Sequence, residues 1–243
     1  MMKTLRKCFA AMLLFSAAMM PAQAYDEIGS VRGRTIGEWS GKWWQWAFSF
    51  PEGFPNGEPF KAGKVDCSAG QEGGVWFLAG TGLASNEPLP GPGQALERIC
   101  KKPIPRGVLL FFPLLNASLY NPDVLCGTSG KPENCTVSEK RRILDEIFSD
   151  TVPGPYVSQA CRLKAALDGK PVQFSDYPIV RTQSPVFPLE GDRKAVSDGF
   201  WVMLPSLERG KHTIEISGNF CAFNDYTAPV LFGIDVRYTL TIQ

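Results

Sequence analysis

Near the C-terminus, Ile234, Val236, Tyr238, Leu240 and Ile242 alternate residue by residue with Asp235, Arg237, Thr239 and Thr241. Successive side chains of an extended chain point to opposite faces, so residues 233–242 form a strand with one apolar and one wet face. Such a strand must lay its apolar face on another layer, and the chain supplies candidates for that layer. Short apolar runs at 75–79 and 108–112, bounded by Gly or Pro, predict strands buried on both faces. Residues 162–167 end at Asp168-Gly169, a hairpin-type turn, and 199–204 lead through Glu208-Arg209-Gly210 into a further strand over 212–217. Pro and Gly are dense over 51–63, 88–93 and 153–155, which makes these stretches loops.

Two helices interrupt this pattern. Thr35-Ile36-Gly37-Glu38 has the Thr-x-x-Glu form in which a hydroxyl and a carboxylate satisfy the free amides of a helix start. It predicts a helix over 36–48, stopped by Pro51. Trp39, Trp43, Trp46 and Phe50 fall along one face of it, with Trp44 and Phe48 on an adjoining one. Thr136-Val137-Ser138-Glu139 opens a second helix to about Ser149, with Val137, Ile143, Leu144, Ile147 and Phe148 as its apolar stripe. The fold expected is mainly β: an antiparallel β-sandwich, immunoglobulin-like or jelly-roll, with two peripheral helices.

Residues 1–24 read as a secretory signal peptide. Lys3, Arg6 and Lys7 precede an apolar stretch, and Ala22-Gln23-Ala24 is a small-residue cleavage box, so cleavage after Ala24 is expected. The remaining 25–243 is read as one sandwich domain with helical insertions and a weak internal boundary near Pro155. Three of the 25 Lys and Arg lie in the leader, leaving 22 against 24 Asp and Glu, a formal charge of −2. Nucleic acid and anionic membranes lose their electrostatic basis as partners. No later apolar run reaches the ~18 residues of a membrane-spanning helix, so no membrane insertion is expected after the leader is removed. The destination is periplasmic or extracellular, and such compartments favour disulfides. Locality pairs Cys126 with Cys135 around a polar loop, Cys161 with Cys221, and Cys67 with Cys100, one of the 15 connectivities that six cysteines allow. Zinc is disfavoured, because no Cys-x-x-Cys occurs and the chain has 1 histidine.

No motif names a reaction. His212 has no Gly-x-Ser-x-Gly elbow to serve and reads as a half-exposed strand histidine. Asp66, Glu72, Asp176, Asp192, Asp198 and Asp225 lie in loops or at strand edges where a hydrolytic pair could assemble, though solvated loop charges are the plainer reading. Gly70-Gln71-Glu72-Gly73-Gly74 precedes a strand rather than following one, and Gly80-Thr81-Gly82 lacks the rest of a dinucleotide fingerprint, so no cofactor is implied. The tryptophans are the least ordinary feature. Helical spacing favours burial for most of Trp39, Trp43, Trp44 and Trp46, with Trp44 the one left exposed; an exposed indole can stack on a sugar ring.

The blocks Trp43-Trp44-Gln45-Trp46, Gly74-Val75-Trp76-Phe77-Leu78-Ala79-Gly80, Leu110-Phe111-Phe112-Pro113-Leu114-Leu115-Asn116 and Asp198-Gly199-Phe200-Trp201-Val202-Met203-Leu204 together resemble a family of uncharacterised exported bacterial proteins. Leu167-Asp168-Gly169-Lys170-Pro171-Val172 and Gly210-Lys211-His212-Thr213-Ile214 resemble strand-turn pieces of bacterial immunoglobulin-like modules. The first resemblance implies an envelope or extracellular β protein and brings no site residues. The expected function is non-catalytic recognition of a glycan or small amphipathic ligand, with Trp44, Trp76 and Trp201 as candidate contacts. A carboxylate-dependent hydrolase of an envelope polysaccharide and a structural or assembly role are the alternatives. Oligomeric state is not readable from the chain.

Overall fold

The structure, a computed structural model, describes residues 30–81, 95–120, 135–148, 158–172, 179–189, 191, 193–222 and 230–243. The leader and Cys126 lie outside them. In chain order the elements are β1 (Ser30–Val31), β2 (Arg34–Thr35), α1 (Ile36–Phe48), β3 (Gly63–Val65), β4 (Val75–Phe77), β5 (Leu96–Cys100), β6 (Leu109–Tyr120) and α2 (Val137–Phe148). Then follow β7 (Ser158–Leu167), β8 (Lys170–Pro171), β9 (Val180–Gln183), β10 (Phe187–Leu189), β11 (Arg193–Leu204), β12 (Gly210–Ala222) and β13 (Val230–Ile242).

The fold is a mainly β, sandwich-like stack of two sheets. One has six strands in the order β3-β5-β13-β12-β7-β8; the other runs β10-β11-β6-β4, with β9 also paired to β11. The core between them holds the apolar face predicted for the last strand, Ile234, Val236, Tyr238, Leu240 and Ile242, against Leu110, Phe112 and Val202. At Gly218 on β12 the two sheets almost touch: a Cβ there would lie 2.2 Å from the Leu114 carbonyl oxygen. The Asp168-Gly169 turn forms as read, with φ of 51° and 74°.

The sheets are mixed, which corrects the antiparallel expectation. β5 runs parallel to both β3 and β13, and β4 runs parallel to β6. The reason is the path of the chain: β3 and β5 belong to the six-stranded sheet, β4 and β6 to the five-stranded one. Each crossing carries the chain to the other sheet, so it comes back to a neighbour in the same direction. Arg98, on β5 and 0% exposed, pins these crossings. Its five N–H groups donate to the carbonyls of Lys61 (2.9 Å), Phe60 (2.6 Å), Ala79 (2.7 Å) and Gly80 (3.1 Å) and to the Tyr238 hydroxyl (3.0 Å). Cys67 and Cys100 close the same region with a disulfide.

Both helix starts are built as predicted. The Thr35 amide donates to Glu38 Oε2 (2.7 Å) while the Glu38 amide donates to Thr35 Oγ1 (3.2 Å). At α2 the Thr136 amide donates to Glu139 Oε2 (2.7 Å) and the Glu139 amide to Thr136 Oγ1 (3.3 Å). α1 forms a third layer on the outer side of the five-stranded sheet and buries Ile36, Trp43, Trp44, Trp46 and Ala47. Gly37 permits that approach, since a Cβ there would meet the Gln183 carbonyl oxygen at 2.6 Å. α2 packs Leu144 and Phe148 on Leu115 and Val196, beyond a bulge where β6 and β11 shift register opposite Pro113. A proline lacks the amide a ladder needs, and a bulge is where a strand tolerates that lack.

Candidate functional site

Wet-face residues of the six-stranded sheet come together through strand register. Across β7, β12 and β13, Lys164 lies opposite Ser217, and Ser217 opposite Asp235. One step along, Glu215 faces Arg237, and Arg237 faces Glu97 on β5. Long charged side chains surround the short Ser217 and Ala95, which leaves a pocket of about 280 Å³ lined by Ala95, Glu97, Lys164, Glu215, Ser217, Asp235 and Arg237. The size is just under the ~300–1,000 Å³ of pockets that enclose drug-sized ligands, so it suits a small molecule.

Its charges are unevenly matched. Glu215 binds both cations, Lys164 at 3.0 Å through Oε2 and Arg237 at 3.1 Å through Oε1. Arg237 also reaches Glu97 at 3.2 Å. Asp235 makes no hydrogen bond or ion pair among the described residues, although it is half-buried. The two acids are pushed in opposite directions. The hydrogen bond from Lys164 holds the Glu215 carboxyl below its ordinary value, with Arg237 adding to it. Burial raises that of Asp235, and the nearby Glu215 charge adds to the rise against the pull of Lys164 and Arg237.

The three indoles expected at a binding surface are elsewhere. Trp44 is 4% exposed, Trp76 8% and Trp201 0%, so none offers a ring face to a ligand. Trp201 stacks on Phe111 at 5.1 Å between ring centres and meets Trp43 edge-on at 5.6 Å; Trp44 stacks on Phe48. Trp76 points the other way, into the core between the sheets. Trp44 is inside because Phe48, one turn along α1, and Phe54, from the loop after it, cover the face that helical spacing leaves open; Trp76 and Trp201 are inside because they lie on strands packed on both faces. Three helix indoles also tether neighbouring backbone, donating from Trp39 to the Val31 carbonyl on β1 (2.8 Å), from Trp43 to that of Leu78 (2.9 Å) and from Trp46 to that of Ala69 (3.0 Å). The four sequence blocks that stand out, on α1, β4, β6 and β11, divide between this layer and the core between the sheets.

Of the carboxylates expected in loops, Asp66 pairs with Lys102 at 2.7 Å, and Glu72 is exposed. Asp198 is 0% exposed and neutralised by Arg181 at 3.0 Å. Asp66 follows β3 of the six-stranded sheet while Asp198 lies within β11 of the other, and Asp176, Asp192 and Asp225 lie outside the described residues. Among the cysteines, Cys67–Cys100 is bonded as expected and Cys135 is also disulfide-bonded. Register sets Cys161 opposite Asn219 and Cys221 opposite Gln159 on adjacent strands. His212 lies on a strand as expected, but its side chain is 14% exposed rather than half-exposed, because Asp168 at 2.8 Å and the Glu208 carbonyl at 2.9 Å hold it down. Among the described residues no three His, Cys, Asp or Glu side chains group as a metal ion requires, and no helix is long and apolar enough to cross a membrane.

The sequence reading missed Glu97, Lys164 and Glu215 as site residues. Asp235 and Arg237 were visible as wet-face positions, but a wet face does not announce which strands will lie beside it. No family model, no curated protein and no solved structure matches this chain.

Proposed function

We propose that the chain is an exported, disulfide-stabilised protein that acts by binding, and that it takes a small polar ligand, such as a sugar unit of a glycan, in the pocket on the six-stranded sheet. The observation that carries this is Asp235: a half-buried carboxylate with no hydrogen-bond or ion-pair partner among the described residues, in a depression whose cations are already engaged. Buried charges are normally paired, so an unpaired one bordering an open pocket supplies an acceptor for a ligand's donors. The lining is predominantly polar, with Ala95 as its one apolar residue, which favours a hydroxyl-rich ligand over an amphipathic one. A glycan array probed with residues 25–243, followed by calorimetry on each hit, tests the reading. Binding that Ser217→Val weakens at least tenfold is the expected result; hits that this variant leaves unchanged would place recognition elsewhere.

A second reading, a polysaccharide hydrolase, is favoured by the pairing of Asp235 with Glu215. They are diagonal neighbours on adjacent strands, a placement that sets side chains roughly 7–8 Å apart. Their acidities are driven apart, as an acid and a base sharing one site require. Release of reducing ends from an envelope polysaccharide, abolished by Glu215→Gln, would establish it over simple binding.

A further inference from the structure

We propose that the ligand of this pocket carries a protonated amine, seated against Asp235 and the Ser217 hydroxyl; the inference rests on the pocket being the binding site. The pocket holds three carboxylates, Glu97, Glu215 and Asp235, against two cations, Lys164 and Arg237. Both cations are spent on Glu215, and Arg237 on Glu97 as well, at 3.0 to 3.2 Å. One negative charge is left over, and among the described residues Asp235 is the pocket acid that no side chain hydrogen-bonds or ion-pairs. Ser217, directly opposite Asp235 in the strand register, adds a hydroxyl oxygen to the same spot.

The alternatives fit this arrangement less well. An anion would meet excess negative charge and cations whose donors are engaged. A metal ion needs several converging acidic, His or Cys ligands, and no such group occurs among the described residues. A neutral sugar alone satisfies hydrogen bonds but leaves the extra charge unmatched. An ammonium supplies three donors and the missing charge together. The ligand class that answers both is an amine on a small polar frame, for which an amino sugar is the simplest probe.

Calorimetry at low salt with D-glucosamine, D-glucose and N-acetyl-D-glucosamine separates the possibilities. The expected result is D-glucosamine binding at least tenfold tighter than the two neutral sugars, with the preference shrinking several-fold in 0.5 M sodium chloride. Asp235→Asn should erase the preference while melting at or above the temperature of the parent protein, because it removes a charge that burial disfavours. Equal affinity for all three sugars would overturn the ammonium while leaving the pocket as a sugar site. Binding of none of them would overturn both. A preference that survives in Asp235→Asn would place the amine at another acid and also overturn the assignment.

Discussion

Arg98 shows how a single residue can hold a topology together. It stands in a strand pattern, Leu96–Cys100, where a wet-face arginine would be unremarkable, yet it points inward and spends every donor on four carbonyls and one hydroxyl. Lysine keeps the charge but brings three donors on a flexible stem, so at least two of these acceptors go unpaired. Arg98→Lys should cost about 2–6 kcal/mol, since each unpaired buried group costs roughly 1–3 kcal/mol. Urea unfolding should then show a lower midpoint with an unchanged slope. Nothing in sequence distinguishes this arginine from its neighbours, because the carbonyls it serves belong to loops 37 and 18 residues away. The buried tryptophans were misread for a related reason. Spacing along α1 fixes which rings share a face, but Phe54, which covers Trp44, arrives from the loop after the helix.

Elements were legible where their signals are local. Thr35 and Glu38, Thr136 and Glu139, and Asp168-Gly169 sit within a few residues of the structure they dictate, and each forms as read. One contact between elements went unread and has a pH signature. His212, near the start of β12, bridges the Asp168 turn after β7 and the Glu208 carbonyl before β12. A carboxylate and a carbonyl both accept, so only the imidazolium, with two N–H groups, satisfies both. Burial favours the neutral ring, but Asp168 and Glu208 outweigh it and raise the histidine above its ordinary value. The other charged groups nearby are Lys211 and Arg209 on the same stretch, Lys170 across the turn, and the Glu208 carboxylate, which is turned toward Arg106. A raised folded value means the stabilisation is full below about pH 6.5 and fades as pH rises through the folded value. Thermal melts from pH 5.5 to 9 should therefore fall more steeply for the parent protein than for His212→Gln, and parallel curves would remove the role given to this contact.

At the scale of the whole molecule, the layered β architecture was readable from alternation and turns, while the parallel pairings were not, because crossing between sheets leaves no mark on hydrophobic periodicity. The pocket was hidden for the same reason: its acids come from β5, β12 and β13, whose adjacency only the topology decides. The Cys67–Cys100 bridge, spanning a separation of 33 residues, clamps one full circuit of that path. By loop-closure entropy it should contribute about 3–4 kcal/mol. The double variant Cys67→Ala/Cys100→Ala should melt about 6–16 °C lower in a chain of this size, while a loss under 2 °C would mean the circuit is held by Arg98 and packing alone. The partnership of β5 with β13 also sets an order of events during synthesis. Strand 96–100 is made long before the neighbour it lies beside, at 236–239. The earlier strand must wait, with an unfinished edge, for a partner made much later; deleting β13 should therefore yield a chain that never settles, rather than a slightly smaller native protein.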